Sequence, residues 1–295
     1  MRRLLVGVLL GCALIVSACS DGDGPVAESG STTADDSPTS STGAPPEDDT
    51  VAAAECTSVP TGVSEFVLDA GGAEHAVRVY VPTAFDGSSR SPLVMNFHGF
   101  GSNGAQQAAL TGYEDLAEEA GFVVVHPTGV PASSDTANRN SWEVADLDDP
   151  AKDDLAFANE LLDLLIADYC VDESRTYATG MSGGGLFTSR LVCDMSDRIA
   201  AASSVAALAY SDSCEPVEPV PYMAIHGTED ETVPFDGDLT GTRFEGEEFS
   251  RVLFSEPIPE QFARFAEAMG CDPEGERVQQ STDIFTTTYA GCDDD

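Results

Sequence analysis

Lysine is nearly missing from this chain of 295 residues. Lys152 is the only one; the other basic residues are arginines, and the 13 basic residues together face 52 acidic ones. With a net charge of −39 and no clustered Lys/Arg to meet phosphates, nucleic-acid binding is excluded. Such acidity bears on solubility or a salty habitat and says nothing about fold. No CxxC pair occurs, which argues against a thiolate metal site. Histidine is scarce: His75, His98, His126 and His226 are the four, and none follows Asp230. Trp142 is the one tryptophan. The apolar run Leu4–Val16 is too short to span a bilayer as a permanent anchor.

That run follows Arg2 and Arg3 and reads as a targeting signal. It ends in Val16-Ser17-Ala18-Cys19, which resembles a bacterial lipobox. Residues 1–18 are then a lipoprotein signal peptide, and Cys19 is the lipidated mature N-terminus. The alternative is ordinary secretion with an incidental cysteine. Residues 19–55 are Ser, Thr, Pro, Gly, Asp and Ala with almost nothing to bury, as expected of a flexible acidic linker. Residues 56–295 remain for the folded domain. Export permits disulfides. Cys56, Cys170, Cys193, Cys214, Cys271 and Cys292 are available. Proximity in sequence suggests Cys193–Cys214 and Cys271–Cys292, leaving Cys56–Cys170 out of fifteen connectivities.

The chain is organised around Arg175–Gly185. Arg175–Thr179 is rich in β-branched and aromatic residues and predicts a buried strand. Leu186–Met195 has helical spacing. Between them Gly180-Met181-Ser182-Gly183-Gly184 matches G-x-S-x-G, a pattern that sets a serine on a sharp strand-to-helix turn. Upstream, Ser64–Leu68 and Ala76–Val81 predict a hairpin of edge strands, with His75 at the surface. Pro92–Phe97 and Phe122–Val125 read as buried strands, Leu110–Ala120 as a helix stopped by Gly121, and Asp153–Tyr169 as a second helix. Downstream, Ala200–Ala206, Pro221–Ile225 and Asp283–Tyr289 predict strands, and Pro259–Met269 a helix. This alternation predicts an α/β fold, a mostly parallel sheet with helices on both faces.

Ligands of such sheets bind beyond the carboxyl ends of the strands. Ser182 is the candidate nucleophile there, and the Gly183 N–H one oxyanion donor. The loop His98-Gly99-Phe100-Gly101 follows the Pro92–Phe97 strand, and the Phe100 N–H is the expected second donor. His98 itself is expected to be a structural hydrogen-bonding residue. Asp230 follows the Pro221–Ile225 strand and is the candidate acid, with Glu229 and Glu231 as competitors. The base is the difficulty. His226 should be held in the sheet, and His126 lies in the wrong chain order. Asp146, Asp148, Asp149, Asp153 and Asp154 cluster, but a calcium loop counted from Asp146 meets Ala151 where glycine is needed. The cluster reads as loop and helix N-terminal charge.

From about Ser64 to Cys292 the chain resembles the secreted polyhydroxybutyrate depolymerase and feruloyl esterase group of α/β-hydrolases, including lipoprotein esterases. The resemblance rests on Pro92-Leu93-Val94 through His98-Gly99, Asn140-Ser141-Trp142 followed by Asp153-Asp154, and Tyr177 through Gly184. It rests also on His226 through Asp230 with Val233-Pro234, and on Tyr289-Ala290-Gly291-Cys292. It implies Ser182 as nucleophile, Asp230 as triad acid and Trp142 as part of the substrate wall. It implies an ester substrate, either acyl groups on plant polysaccharide or short polyesters, with no cofactor, no metal and a monomer tethered to the membrane only by its lipid. In that family a further strand and a histidine loop follow the segment resembling Tyr289–Cys292. A C-terminally truncated chain lacking its base is therefore expected, and an inactive surface lipoprotein that binds such substrates is the alternative.

Overall fold

Alternation of apolar and polar residues builds the first hairpin. β1 (Gly62–Ala70) and β2 (Ala73–Val81) pair antiparallel around the Gly71-Gly72 turn. The protein is described here by a computed structural model over residue 56 and residues 59–133, 135, 137–144, 149–242, 245 and 253–292. The expected signal peptide, lipidated Cys19 and linker, and Asp146 and Asp148 of the acidic cluster, lie outside the described residues.

Continuous apolar runs supply the buried strands β3 (Ser91–Phe97) and β4 (Val123–Pro127), which read as strands covered on both faces. β5 (Val171–Met181), β6 (Ala201–Val205) and β7 (Tyr222–Ile225) complete a seven-stranded sheet of order β1-β2-β4-β3-β5-β6-β7. β4, β3, β5, β6 and β7 are parallel; β2 joins β4 antiparallel. The chain steps one way from β3 to β4 and the other way from β5 to β7. The reversal lies between β3 and β5, and in sheets of this kind ligands bind beyond the carboxyl ends of the strands at that point.

Helices cover both faces. On β2, His75 stacks on Phe157 of α3 (Asp154–Asp168), whereas Arg78, on the opposite face by strand alternation, is bonded to Glu114 of α2 (Tyr113–Ala120). On β3, Phe97 meets Phe187 of α4 (Gly183–Asp194), and Asn96 bonds Thr111 and Gln107 of α1 (Gly104–Thr111). Thus α3 and α4 share one face, and α1 and α2 the other. Phe97, Trp142, Phe157 and Phe187 pack together at the centre of the first face. Each such ring contributes about 1.5–3 kcal/mol by burial.

α5 (Ile258–Ala268) packs Phe262 and Phe265 on Tyr222. β8 (Glu276–Gln279) and β9 (Phe285–Thr288) form a separate two-stranded sheet. Disulfides join Cys56–Cys170, Cys193–Cys214 and Cys271–Cys292.

Three expectations are corrected. Leu110–Ala120 is two helices, α1 and α2, because Gly112 takes φ 66° and its N–H returns to Ala108 O at 3.1 Å, ending α1. β2 is not an edge strand, since β4 pairs with its far side. His75 is fully buried rather than at the surface, because α3 lays Phe157 on its ring and Thr128 O bonds its Nδ1 at 3.1 Å.

Candidate active site

β5 runs into α4 through Ser182, whose φ of 54° and ψ of −120° make the sharp turn that the sequence pattern requires. A Cβ at Gly180 would lie 2.2 Å from Gly184 O, and one at Gly184 would lie 2.2 Å from Phe97 O. Side chains are excluded at both positions because strand, turn and helix pass in backbone contact. The Ser182 N–H donates to Val205 O at 2.8 Å, and its carbonyl accepts the first helical bond from Leu186 N–H at 3.0 Å. Both backbone groups are engaged, the side chain is partly exposed, and Oγ makes no hydrogen bond among the described residues.

The loop after β3 lies against this turn. A Cβ built on Gly183 would sit 3.1 Å from Phe100 N, and one on Gly99 would sit 3.4 Å from Ser182 Cβ. Gly183 and the Phe100 N–H group therefore lie close together next to the serine. Gly183 also opens α4, where unpaired N–H groups and the helix dipole favour negative charge. Such an arrangement suits a developing oxyanion.

Four hydrogen bonds fasten the Phe100 loop to the irregular segment 129–142. Gly129 N–H donates to His98 Nε2 at 3.0 Å, and Trp142 Nε1–H to His98 O at 3.0 Å. Gly101 N–H donates to Asn140 O at 2.7 Å, and Asn140 Nδ2–H to Ser102 O at 2.8 Å. Accepting at Nε2 makes His98 the neutral tautomer protonated at Nδ1, which donates to Gly99 O at 2.8 Å. Burial pulls its pKa down to about 4. Both ring nitrogens are occupied, so His98 is a brace for the loop.

Trp142 takes a different place from the expected substrate wall. The indole is buried, stacked on Phe187 at 5.2 Å, and it acts on the site from behind by holding the His98 carbonyl. The outward ring beside the turn is Phe100, 47% exposed, with the Arg139 guanidinium 4.6 Å from its centroid. Nothing in spacing alone distinguishes an inward tryptophan from an outward one, and aromatic packing decided it.

Asp230 lies beyond the carboxyl end of β7, the same edge of the parallel sheet as Ser182. Its Oδ1 accepts from Thr232 N–H at 2.8 Å and Val233 N–H at 3.0 Å. Oδ2 lies 3.8 Å from His226 Nε2, beyond hydrogen-bond range, and that nitrogen bonds Val233 O at 2.8 Å instead. His226 thus closes the turn that carries the acid. His126 is fully buried with neither ring nitrogen partnered among the described residues, and its pKa falls to about 4 through burial. No histidine ring of the chain hydrogen-bonds Ser182 or the Asp230 carboxylate.

The described residues of the acidic cluster have structural partners. Asp153 caps α3 by accepting from Ala156 N–H at 2.8 Å. Asp149 accepts from Ser133 and Ala151 N–H. Asp154 pairs with Lys152. Gly129, Asn140 and Lys152 escape residue-by-residue reading of the sequence, because hydrogen bonds to backbone leave no signature in spacing.

Comparison with known proteins identifies similar chains. Residues 70–263 match the model of the Esterase family, described as "Putative esterase". Feruloyl esterase B of Piromyces equi is 27% identical over 226 residues, 73% of this chain and 39% of that protein. Feruloyl esterase C of Emericella nidulans is 27% identical, covering 63% of this chain and 64% of its own length. The bifunctional acetylxylan esterase/xylanase XynS20E of Neocallimastix patriciarum is 28% identical over 56% of this chain and 22% of that protein. The chain thus spans less than two thirds of these relatives' lengths. Among solved structures, a thermostable esterase is 23% identical with a TM-score of 0.47, covering 58% of this chain and 48% of that one.

Proposed function

This chain belongs to the Esterase family, and on that premise we propose that it is a secreted serine hydrolase of carboxylic esters with Ser182 as nucleophile. The observation that carries the reading is the Ser182 turn set against the Phe100 loop, with a free Oγ beside two amide donors. Ser182 Oγ adds to the ester carbonyl. The Gly183 and Phe100 N–H groups receive the charge on its oxygen, the alcohol leaves with the proton that Ser182 Oγ gave up, and water then releases the acid from the acyl-enzyme and restores the serine hydroxyl. Asp230 Oδ1 is anchored by two amides, which leaves Oδ2 to orient a protonated base. No cofactor takes part in these steps. The relatives' names support acyl groups on plant polysaccharide, feruloyl or acetyl, as substrates.

Replacing Ser182 by Ala should abolish hydrolysis of a p-nitrophenyl ester and labelling by a fluorophosphonate. A Ser182→Ala protein that labels as fast as wild type removes Ser182 from the chemistry. A second reading, an inactive surface protein that binds such esters, is favoured by the engagement or burial of all four histidines. Prompt wild-type labelling at Ser182 eliminates it. The signal sequence and the three disulfides support an extracellular location, anchored through Cys19. Release of the Cys19→Ser protein from cells into the medium, with wild type retained, tests the anchor.

A further inference from the structure

The single lysine lies behind the loop that carries the Phe100 N–H. The Lys152 side chain is 3% exposed and its ammonium spends all three N–H groups. They reach Asp154 Oδ2 at 2.7 Å, Ser141 O at 2.9 Å and Val130 O at 3.1 Å. Val130 and Ser141 are the two sides of a pinch, where Ser141 N–H donates to Val130 O at 3.3 Å. The residues next to them grip the catalytic loop: Gly129 and Trp142 hold His98, and Asn140 holds Gly101 and Ser102. Each of these four hydrogen bonds therefore involves a residue next to a carbonyl that Lys152 holds. At the other end Asp154 is fully buried in the first turn of α3 and also accepts Glu143 N–H at 2.7 Å. Asp154 N–H in turn donates to Glu143 Oε2 at 2.9 Å.

Stability alone does not account for a charge pair here. Well-packed apolar residues commonly replace a buried ion pair without loss. What an ammonium supplies is three donors from one point, able to tie two carbonyls and a carboxylate together, which the planar fork of arginine does not reproduce.

We propose that Lys152 is a positioning residue, which through Val130 and Ser141 holds the Phe100 N–H in place beside Gly183 to receive the oxyanion. This rests on the reading of Ser182 as nucleophile. Its own geometry is independent of that reading.

The test is the double variant Lys152→Met/Asp154→Asn, which removes both charges and keeps an acceptor for Glu143 N–H. Hydrogen exchange should quicken roughly tenfold over residues 98–102 while α3 and α4 keep wild-type protection. Acrylamide should quench Trp142, the lone tryptophan, more strongly. On a p-nitrophenyl ester, kcat should fall about 10–100-fold with KM changed less than about twofold, since a donor displaced by about 1 Å is lost mainly to the transition state. Lys152→Arg keeps the charge for Asp154, and supplies a folded protein if the double variant melts early; it should show the same pattern, smaller in size. Wild-type exchange over 98–102 in either folded variant overturns the proposal, as does a loosened loop with unchanged kcat. A wild-type protein inert to ester and fluorophosphonate defeats the Ser182 reading instead, and loop exchange still decides the role of Lys152.

Discussion

Adding one methyl group at Gly184 should cost both stability and activity. A Cβ there lies 2.2 Å from Phe97 O, 2.5 Å from Phe97 C and 2.7 Å from His98 O. All three are backbone atoms, so no side chain can turn away to relieve the contact. Van der Waals separation is roughly 3.5 Å, which requires α4 and the end of β3 to part by about 1 Å or more. Overpacking of this kind costs about 1–3 kcal/mol, and a domain of this size loses about 2–4 °C of Tm per kcal/mol. The expected fall for Gly184→Ala is therefore about 2–12 °C. Activity should suffer more than Tm does. β3 leads directly into the loop bearing the Phe100 N–H, and a shift of about 1 Å in a reacting group is worth about 100-fold in kcat. Gly227→Ala is the control, since a Cβ there meets nothing within 4 Å. Thermal melts by circular dichroism and ester kinetics on the two variants decide it. A Gly184→Ala protein with the Tm and kcat of Gly227→Ala would refute the claim that backbone contact at this turn aligns the two amides.

Ser182 holds a φ of 54°, uncommon for a residue with a side chain. Ser182→Gly should raise Tm by a few degrees, through release of about 1–3 kcal/mol of strain, while ending ester hydrolysis; an unchanged or lower Tm would show the turn to be unstrained. Asp230→Asn keeps the Oδ1 acceptor for Thr232 and Val233 but loses the charge of Oδ2. It should melt like wild type and lose about 1,000–10,000-fold in kcat where Oδ2 orients the base, and an unchanged kcat would remove Asp230 from the mechanism. Burial holds His75, His98 and His126 at a pKa of about 4, below the ordinary 6.5. The unfolded chain takes up these protons first as pH falls, so stability is complete above about pH 6.5 and declines toward pH 4. His126, with neither ring nitrogen hydrogen-bonded among the described residues, is the residue to change. His126→Leu should flatten the decline measured by urea unfolding between those pH values, and parallel curves would show that His126 titrates alike in both states.

Local sequence determined a good part of this protein. The runs at Pro92–Phe97 and Phe122–Val125 became central strands because they are apolar but for Asn96, whose amide finds partners in Thr111 and Gln107 of α1. Gly180 and Gly184 announced a turn in which backbone meets backbone, a requirement local enough to be written in five residues. Cysteine proximity led to Cys193–Cys214 and Cys271–Cys292, and the pair left over, Cys56–Cys170, also forms. Other features depended on partners far away in the chain. Whether His75 faced water turned on α3 bringing Phe157 over its ring. The family resemblance puts Trp142 in the substrate wall, and only Phe97, Phe157 and Phe187, brought from three elements, drew it inward. The grip of segment 129–142 on the Phe100 loop runs through carbonyls and amides that every residue carries, so composition is blind to it. Residue type sets which contacts are affordable in solvent or core; packing across the sheet decides which of them are made, because burial belongs to the assembled fold and not to any segment of it.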